Sequence, residues 1–105
     1  MPKAPPHPGA LRLSEEEARR WIVSGQVQNV GYRYFARQTA QRLGVRGWIR
    51  NLPDGSCEAQ VAGVAELLER FKDELMRGPR GARVEDIAEE RLVQVPDWQS
   101  FQIVF

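Results

Sequence analysis

One stretch, residues 24–35, most constrains the fold of this chain because it joins three kinds of local structure. It reads S-G-Q-V-Q-N-V-G-Y-R-Y-F and follows the apolar residues Trp21, Ile22 and Val23, which predict a strand. The glycines and asparagine in its middle predict a loop, and a helical pattern begins at about Arg33. Where a strand, a loop and a helix N-terminus meet, backbone N–H groups converge and the helix dipole adds partial positive charge. The stretch therefore predicts an anion site, which we interpret as a phosphate cradle.

Length, composition and charge restrict the class of protein. The 105 residues can bury one core without a disulfide or a structural metal, and the lone Cys57 excludes an intrachain disulfide. The formal net charge is +1, so no broad basic surface for nucleic acid or for a membrane is expected. No apolar run reaches the roughly 18 residues of a membrane span, and the N-terminus lacks the apolar segment of a signal peptide. We expect a cytoplasmic monomer that needs no cofactor.

The N-terminal part of the chain predicts a tail. Residues 1–13 contain four prolines and one glycine, a composition typical of a segment without fixed structure. Residues 14–17 match a capping box, but they predict no more than a short frayed turn before the first strand. We therefore place a flexible Pro-rich tail at residues 1–19 and the folded domain at residues 20–105.

The predicted elements follow the order β-α-β-β-α-β with a closing strand. Strands are predicted at residues 20–27, 45–51, 56–63, 82–91 and 98–105, and helices at residues 33–43 and 64–77. The fourth strand carries many charges, which predicts a sheet edge or a bulge, and the last strand is expected to bury Phe101, Ile103 and Phe105. This order is typical of the ferredoxin-like split βαβ sandwich. In that α+β fold, two helices cover one face of an antiparallel sheet.

Two long motifs on these predicted elements resemble the signatures of the acylphosphatase family. G-Q-V-Q-N-V-G-Y-R, at residues 25–33, is similar to G-x-V-Q-G-V-G-[FY]-R. G-W-I-R-N-L-P-D-G-S, at residues 47–56, is similar to G-W-V-x-N-x-x-D-G-x. G-P-R-G-A-R-V, at residues 78–84, is similar to a junction common in bacterial members. The resemblance extends from about residue 21 to residue 105, which is nearly all of the chain outside the tail.

The resemblance implies a metal-free hydrolase that cleaves acyl phosphates to a carboxylate and inorganic phosphate. By position in the motifs, Arg33 would bind the phosphoryl group with the backbone amides of the loop, and Asn51 would position the attacking water. The phosphate-binding residues implied in this way are Gln28, Asn29, Val30, Gly31, Tyr32 and Arg33. Inorganic phosphate or sulfate would bind in the same place, and the substrate would be a small molecule.

One residue of the first motif departs from the family pattern. Asn29 stands where the family usually has glycine. Asparagine tolerates a positive φ better than other non-glycine residues, so the loop is expected to keep its shape.

The candidate site offers no nucleophile–base pair and no metal ligands, which fits this one class of substrate. It contains no histidine, no cysteine and no carboxylate cluster, and we interpret Cys57 as a small buried strand residue outside it. Phosphoryl transfer can rest on positioning and charge stabilisation alone. A carboxylate leaving group, with a conjugate-acid pKa of about 4, departs without a general acid. Arginine can offer two parallel bonds to phosphate, and an asparagine amide adds no repelling charge.

Other classes of function stay open from the sequence. An RNA recognition motif shares the element order, but the third predicted strand lacks the aromatic residues on which that module stacks bases. A non-catalytic phosphate- or anion-binding module of ferredoxin-like fold would keep the cradle without turnover. A domain of a larger maturation enzyme acting on carbamoyl phosphate would need further domains, and we expect none. Taken singly, Arg33 could be a solvated charge and Asn51 a turn residue, so the hypothesis depends on their joint pattern.

Overall fold

Within residues 15–105, five strands and two helices follow one another in the order predicted from the sequence. The structure is a computed structural model and describes residues 15–105. The elements are β1 (Glu16–Gln26), α1 (Tyr32–Leu43), β2 (Arg46–Asn51), β3 (Cys57–Val64), α2 (Ala65–Arg77), β4 (Arg83–Arg91) and β5 (Phe101–Ile103). Within these residues, neither helix has the length and apolar character that crossing a bilayer requires. The β-α-β-β-α-β order with a closing strand is confirmed.

The five strands form one mixed sheet in the order β4-β1-β3-β2-β5. The antiparallel sheet predicted from the sequence is found in β4, β1, β3 and β2, whereas β5 pairs in parallel with β2. This direction follows from the connection before β5. Because Arg91 of β4 pairs with Arg19 of β1, β4 ends at the end of the sheet where β1 and β2 begin. A connection across that end delivers β5 to the opposite edge in the direction of β2.

Both helices pack on one face of the sheet and enclose the core against it. All seven elements contribute to the core, and its largest fully buried side chains include Trp21, Tyr32, Phe71, Ile49, Leu68 and Leu75. Edge-to-face contacts join three elements, since the ring of Phe71 lies 5.6 Å from that of Trp21 and 5.6 Å from that of Phe101. The Tyr32 hydroxyl donates to the Leu75 carbonyl over 2.8 Å and links the two helices.

The first strand begins four residues earlier than the sequence predicted. Glu16 and Glu17 belong to β1, so the frayed turn predicted for residues 14–17 is wrong for these two residues. Both continue the pairing with β3, and Arg46 donates to the Glu16 carboxylate over 2.7 Å. Cross-strand partners therefore override the local capping pattern. The tail was predicted at residues 1–19, but residues 16–19 belong to β1, and the part of it before residue 15 lies outside the described residues.

The predicted edge or bulge in β4 is confirmed. The strand lies at the edge of the sheet, and its register with β1 shifts between Ser24 and Gly25. Gly25 has φ 120°, and a Cβ at this position would lie 2.1 Å from the Arg83 carbonyl oxygen. The backbones of β1 and β4 can approach this closely only because residue 25 is glycine. Gly25 is thus a strand residue at the bulge, not part of the loop as the sequence suggested.

The last strand is shorter than predicted. Phe101 is buried and Ile103 is partly buried, as expected, but Phe105 is 97% exposed, so its predicted burial is wrong. The Val104 amide makes a last bond to the Ile49 carbonyl over 2.9 Å. Phe105 lies beyond this bond and beside the start of α1.

Candidate active site

The loop between β1 and α1 bends sharply into the helix. Asn29 and Gly31 both have left-handed backbones, with φ 63° and 73°, which confirms the conformation expected for Asn29. The helix starts with the bond from the Phe35 amide to the Gly31 carbonyl, over 3.0 Å. No side chain among residues 15–105 caps this N-terminus, and its first turn contains no acidic residue. The first-turn N–H groups are therefore available to an external acceptor, and the helix dipole favours an anion there.

Arg33 lies in the first turn of α1 beside this N-terminus. Its guanidinium is 5.2 Å from the centre of the Phe105 ring, within the range of a cation–π contact. It takes part in none of the ion pairs found among residues 15–105. A cation without a carboxylate partner, next to uncapped amides, makes this corner of the molecule electropositive.

The sheet brings Asn51 to the same corner. β1 and β2 flank β3 in the sheet, and both end where β3 begins. The loop after β1 and the last residue of β2 are therefore separated by about two strand spacings, or about 10 Å. The cleft between them has a volume of about 250 Å³. It is lined by Val27, Asn29, Gly31, Tyr32, Arg33, Tyr34, Asn51, Ile103 and Phe105.

Gln28 ties the loop to the β2–β3 turn. Its side-chain Nε2 donates to the Leu52 carbonyl over 2.8 Å and to the Ser56 carbonyl over 3.0 Å. Asp54 shapes that turn, since its carboxylate accepts the Ser56 amide over 2.9 Å. These contacts hold the loop that carries the N–H groups next to the turn that follows Asn51.

The residues implied as phosphate-binding fall into two groups in the structure. Asn29, Gly31, Tyr32 and Arg33 line the cleft, whereas Gln28 and Val30 do not. The Gln28 side chain points to the turn, and the Val30 side chain packs against the core. The Tyr32 ring is also buried, and burial raises the pKa of its hydroxyl well above the ordinary value. A contact between any of these residues and phosphate stays a prediction.

Cys57 lies against the site, although the sequence placed no cysteine there. Its Sγ is 3.2 Å from Asn51 Oδ1 and 3.7 Å from the Val27 carbonyl oxygen. Burial raises the pKa of the Cys57 thiol to about 11, while the positive charge of Arg33 acts in the opposite direction. This contact could have been predicted from the register of the β2–β3 hairpin, because Asn51 and Cys57 are direct partners across the two strands. As predicted, the side chain is fully buried.

The cleft has hydrogen-bond donors and a positive charge on one side, as an anion site requires, and one polar side chain on the other side. Uncapped amides and a guanidinium lie on one side, and the Asn51 carboxamide lies on the other. Tyr34 and Phe105 leave apolar ring surface exposed at its rim. Within residues 15–105, no three histidine, cysteine, aspartate or glutamate side chains converge as a metal site. The arrangement can bind and polarise an anion and hold a water molecule beside it.

The sequence motifs and this geometry agree with one family of known proteins. The family model for acylphosphatase matches residues 19–103, including every residue that lines the cleft except Phe105. The chain belongs to the acylphosphatase family. Among curated proteins, the acylphosphatase of Nitrosococcus oceani is 45% identical over 84 residues, which cover 80% of this chain and 93% of that protein.

Solved acylphosphatase structures share the fold. That of Coxiella burnetii matches with a TM-score of 0.83 and 30% identity, covering 89% of this chain and 97% of its own. That of Bacillus subtilis matches with a TM-score of 0.82 and 31% identity, covering 85% of this chain and 99% of its own. The ferredoxin-like α+β fold and the resemblance to acylphosphatases are both confirmed.

Proposed function

We propose that this cleft hydrolyses the carboxyl–phosphate bond of small acyl phosphates, giving a carboxylate and inorganic phosphate. The main observation behind the proposal is that Arg33 and Asn51 line the same cleft at the uncapped N-terminus of α1, although they come from two separate elements. Membership of the acylphosphatase family supports this class of substrate. Benzoyl and acetyl phosphate are simple compounds of the class.

In this proposal the phosphoryl group binds between the loop and Arg33. The first-turn N–H groups of α1 and the loop amides donate to its oxygens, and the guanidinium donates two parallel bonds. These donors are fixed before the substrate arrives, because the Gln28 contacts hold the loop and α1 holds Arg33. Preorganised donors stabilise the charge that gathers on the oxygens in the transition state.

Asn51 then places a water molecule opposite the leaving group. The water oxygen forms a bond to phosphorus as the bond from phosphorus to the bridging oxygen breaks, and that oxygen leaves with both electrons as part of the carboxylate. The protons of the water stay with the phosphate product or pass to solvent. A neutral carboxamide can orient water without adding a negative charge that would repel the phosphate.

The leaving group explains why so few residues suffice. A carboxylate has a conjugate-acid pKa of about 4, so it departs as an anion without a proton donor. An alkyl or aryl phosphate ester has a far more basic leaving group and would need a general acid or a metal. We propose that the reaction runs without a metal, with Arg33 and the amides supplying the positive charge.

The proposal needs a single copy of the chain. Arg33 and Asn51 both come from one protomer, so we propose a monomer that acts on a small molecule. We also propose a cytoplasmic location, where a single free, buried cysteine stays reduced.

Comparison of benzoyl phosphate with phenyl phosphate tests the proposal. The two carry similar rings, but the first releases benzoate and the second a phenol, whose pKa is near that of tyrosine at about 10. We expect benzoyl phosphate to be hydrolysed and phenyl phosphate to be left nearly intact. Hydrolysis of both would contradict the role of the leaving group. Phosphate binding without hydrolysis of either would favour a non-catalytic anion-binding module.

A further inference from the structure

The carboxamide of Asn51 has one end bound within the protein and one end open to the cleft. Its Oδ1 lies 3.2 Å from Cys57 Sγ. Its Nδ2 donates to none of the described residues. Every side-chain nitrogen or oxygen shielded from solvent within residues 15–105 has a partner, so Nδ2 is exposed to solvent, and the residue faces the cleft. The contact with Cys57 therefore determines which end of the amide meets the substrate.

Cys57 is suited to donate this bond. Its thiol has one proton and two oxygen atoms within reach, and Asn51 Oδ1 at 3.2 Å is nearer than the Val27 carbonyl at 3.7 Å. The thiol pKa of about 11 keeps this proton in place through neutral pH. A protonated, fully buried thiol is a poor nucleophile, so the group acts through its S–H bond and not through covalent chemistry.

We propose that Cys57 is a positioning residue, whose S–H donates to Asn51 Oδ1 and thereby turns the Nδ2 amine toward the attacking water. Cys57 is fixed in β3, the strand that separates the phosphate loop from Asn51. Its other neighbour, Val27, is the first residue after β1. The thiol thus fixes the orientation of the Asn51 carboxamide relative to the loop between β1 and α1, which binds phosphate in this proposal. This inference rests on the proposed function, because the orientation matters only if Asn51 holds water.

Three substitutions separate the hydrogen bond from the packing of the side chain. Cys57→Ala and Cys57→Val both remove the donor, one by shortening the side chain and the other by filling its space with methyl groups. Cys57→Ser keeps a donor of similar size. Since a net hydrogen bond is worth about one kcal/mol, we expect kcat for benzoyl phosphate to fall about three- to ten-fold in the alanine and valine variants.

The pattern across several readouts tests the role in positioning. We expect Cys57→Ser to recover most of the rate, and the inhibition constant of inorganic phosphate to stay at the wild-type value in all three variants. In an Asn51→Ala background, Cys57→Ala should cause no further loss of kcat. Wild-type kcat in both donor-less variants would overturn the proposal, and so would a full additional loss in the double variant.

A second measurement does not depend on turnover. The Nδ2 signals of Asn51 in a ¹⁵N–¹H spectrum, assigned by their loss in Asn51→Ala, respond to a hydrogen bond accepted by Oδ1 of the same amide. They should shift in Cys57→Ala and return toward the wild-type position in Cys57→Ser. Unmoved signals in Cys57→Ala would overturn the proposal. If the wild type failed to hydrolyse benzoyl phosphate, the proposed function would fail, while these signals would still decide whether Cys57 orients Asn51.

Discussion

Arg33 has an aromatic ring and backbone amides as its neighbours, where a surface arginine commonly has a carboxylate. Its guanidinium lies over Phe105 and outside the ion pairs of the described residues. Other arginines of the chain are paired with carboxylates: Arg20 and Arg50 share Glu58, and Arg46 pairs with Glu16. The charge of Arg33 is therefore available for a ligand, which a charge count of the sequence cannot reveal.

Replacement of this charge gives the first prediction. Arg33→Gln should lower kcat/KM for benzoyl phosphate by about 10²–10³-fold or more, the scale for loss of one preorganised charge-stabilising donor. Inhibition by inorganic phosphate should disappear with it, because the same group binds substrate and product. Steady-state rates with a phosphate titration measure both effects.

Arg37→Gln serves as the matched control for this prediction. Arg37 lies one turn further along α1, where its guanidinium stacks on the Tyr34 ring at 5.4 Å, and it does not line the cleft. This variant should keep phosphate inhibition close to wild type. Phosphate inhibition that survives in Arg33→Gln would remove Arg33 from the proposed binding site.

At the level of single residues, the sequence predicted conformations better than contacts. The positive φ of Asn29 could be predicted because it follows from the intrinsic backbone preference of asparagine. The exposure of Phe105 could not be predicted, because alternation along a strand predicts which face of the sheet a side chain occupies but not the residue at which strand pairing ends. The contact of Cys57 with Asn51 depends on the register of the hairpin, which brings the two residues opposite each other.

At the level of elements, one side chain joins the loop between β1 and α1 to the β2–β3 turn. Gln28 Nε2 binds the carbonyls of Leu52 and Ser56, which follow β2 and precede β3. Loop and turn therefore move together, and with them the amides of the loop and the carboxamide of Asn51. The Gln28 side chain is connected to the cleft only through this link, since it does not line the cleft.

Gln28→Ala should lower the activity more than it lowers the stability of the fold. We expect kcat/KM for benzoyl phosphate to fall about ten-fold, since two bonds worth about one kcal/mol each are lost and water replaces part of them. Gln41→Ala, an exposed residue on α1, provides the control and should leave the rate unchanged. A rate in Gln28→Ala equal to that of the control would show that the link has no role in the reaction.

The face of the sheet opposite the helices contains a buried carboxylate in its central strand. Glu58 is 4% exposed and accepts hydrogen bonds from Arg20 over 2.6 Å and from Arg50 over 2.9 Å. Burial alone would raise the pKa of Glu58, but the bonds from the two arginines outweigh it and hold that pKa below 4.5. A lowered pKa stabilises the folded state above the ordinary pKa, and this stabilisation is lost as the pH falls through the folded value.

Glu58→Gln should therefore destabilise the protein at neutral pH and matter less in acid. At pH 7 we expect the free energy of unfolding to fall by about 1–3 kcal/mol, because two arginines lose a charged acceptor. Below pH 4.5 the carboxylate of the unfolded chain takes up its proton first, so the difference between wild type and variant should shrink, and it should vanish below the lower pKa of the folded protein. Urea denaturation at pH 7 and at pH 3 measures both values. A difference that stays constant or grows in acid would contradict this account.

The elements themselves were largely predictable, while their pairing was not. Hydrophobic periodicity was enough to predict both helices and the strands β2 and β3. The early start of β1 depends on β3 and Arg46, and the parallel direction of β5 depends on the end of the sheet at which β4 stops. These features arise from contacts between distant segments, which local patterns do not specify.

At the scale of the whole molecule, the sheet brings two sequence motifs together in one cleft. The first motif supplies the loop and Arg33, and the second supplies Asn51 at the end of β2. Their strands are not neighbours, because β3 lies between them and contributes Cys57 to the junction. The motifs could be found in the sequence, but the strand order that joins them is a property of the complete fold.

Hydrolysis of benzoyl phosphate in the presence of a chelator is the most direct test of the central claim. Wild type, Asn51→Ala and Arg33→Gln are assayed in parallel, and phosphate inhibition is measured wherever activity permits. We predict that wild-type turnover is unaffected by the chelator. Asn51→Ala should lose most of kcat, by about 10²-fold or more, yet still bind phosphate, and Arg33→Gln should lose both. Abolition by the chelator with rescue by Mg²⁺, or an unchanged kcat in Asn51→Ala, would contradict the account.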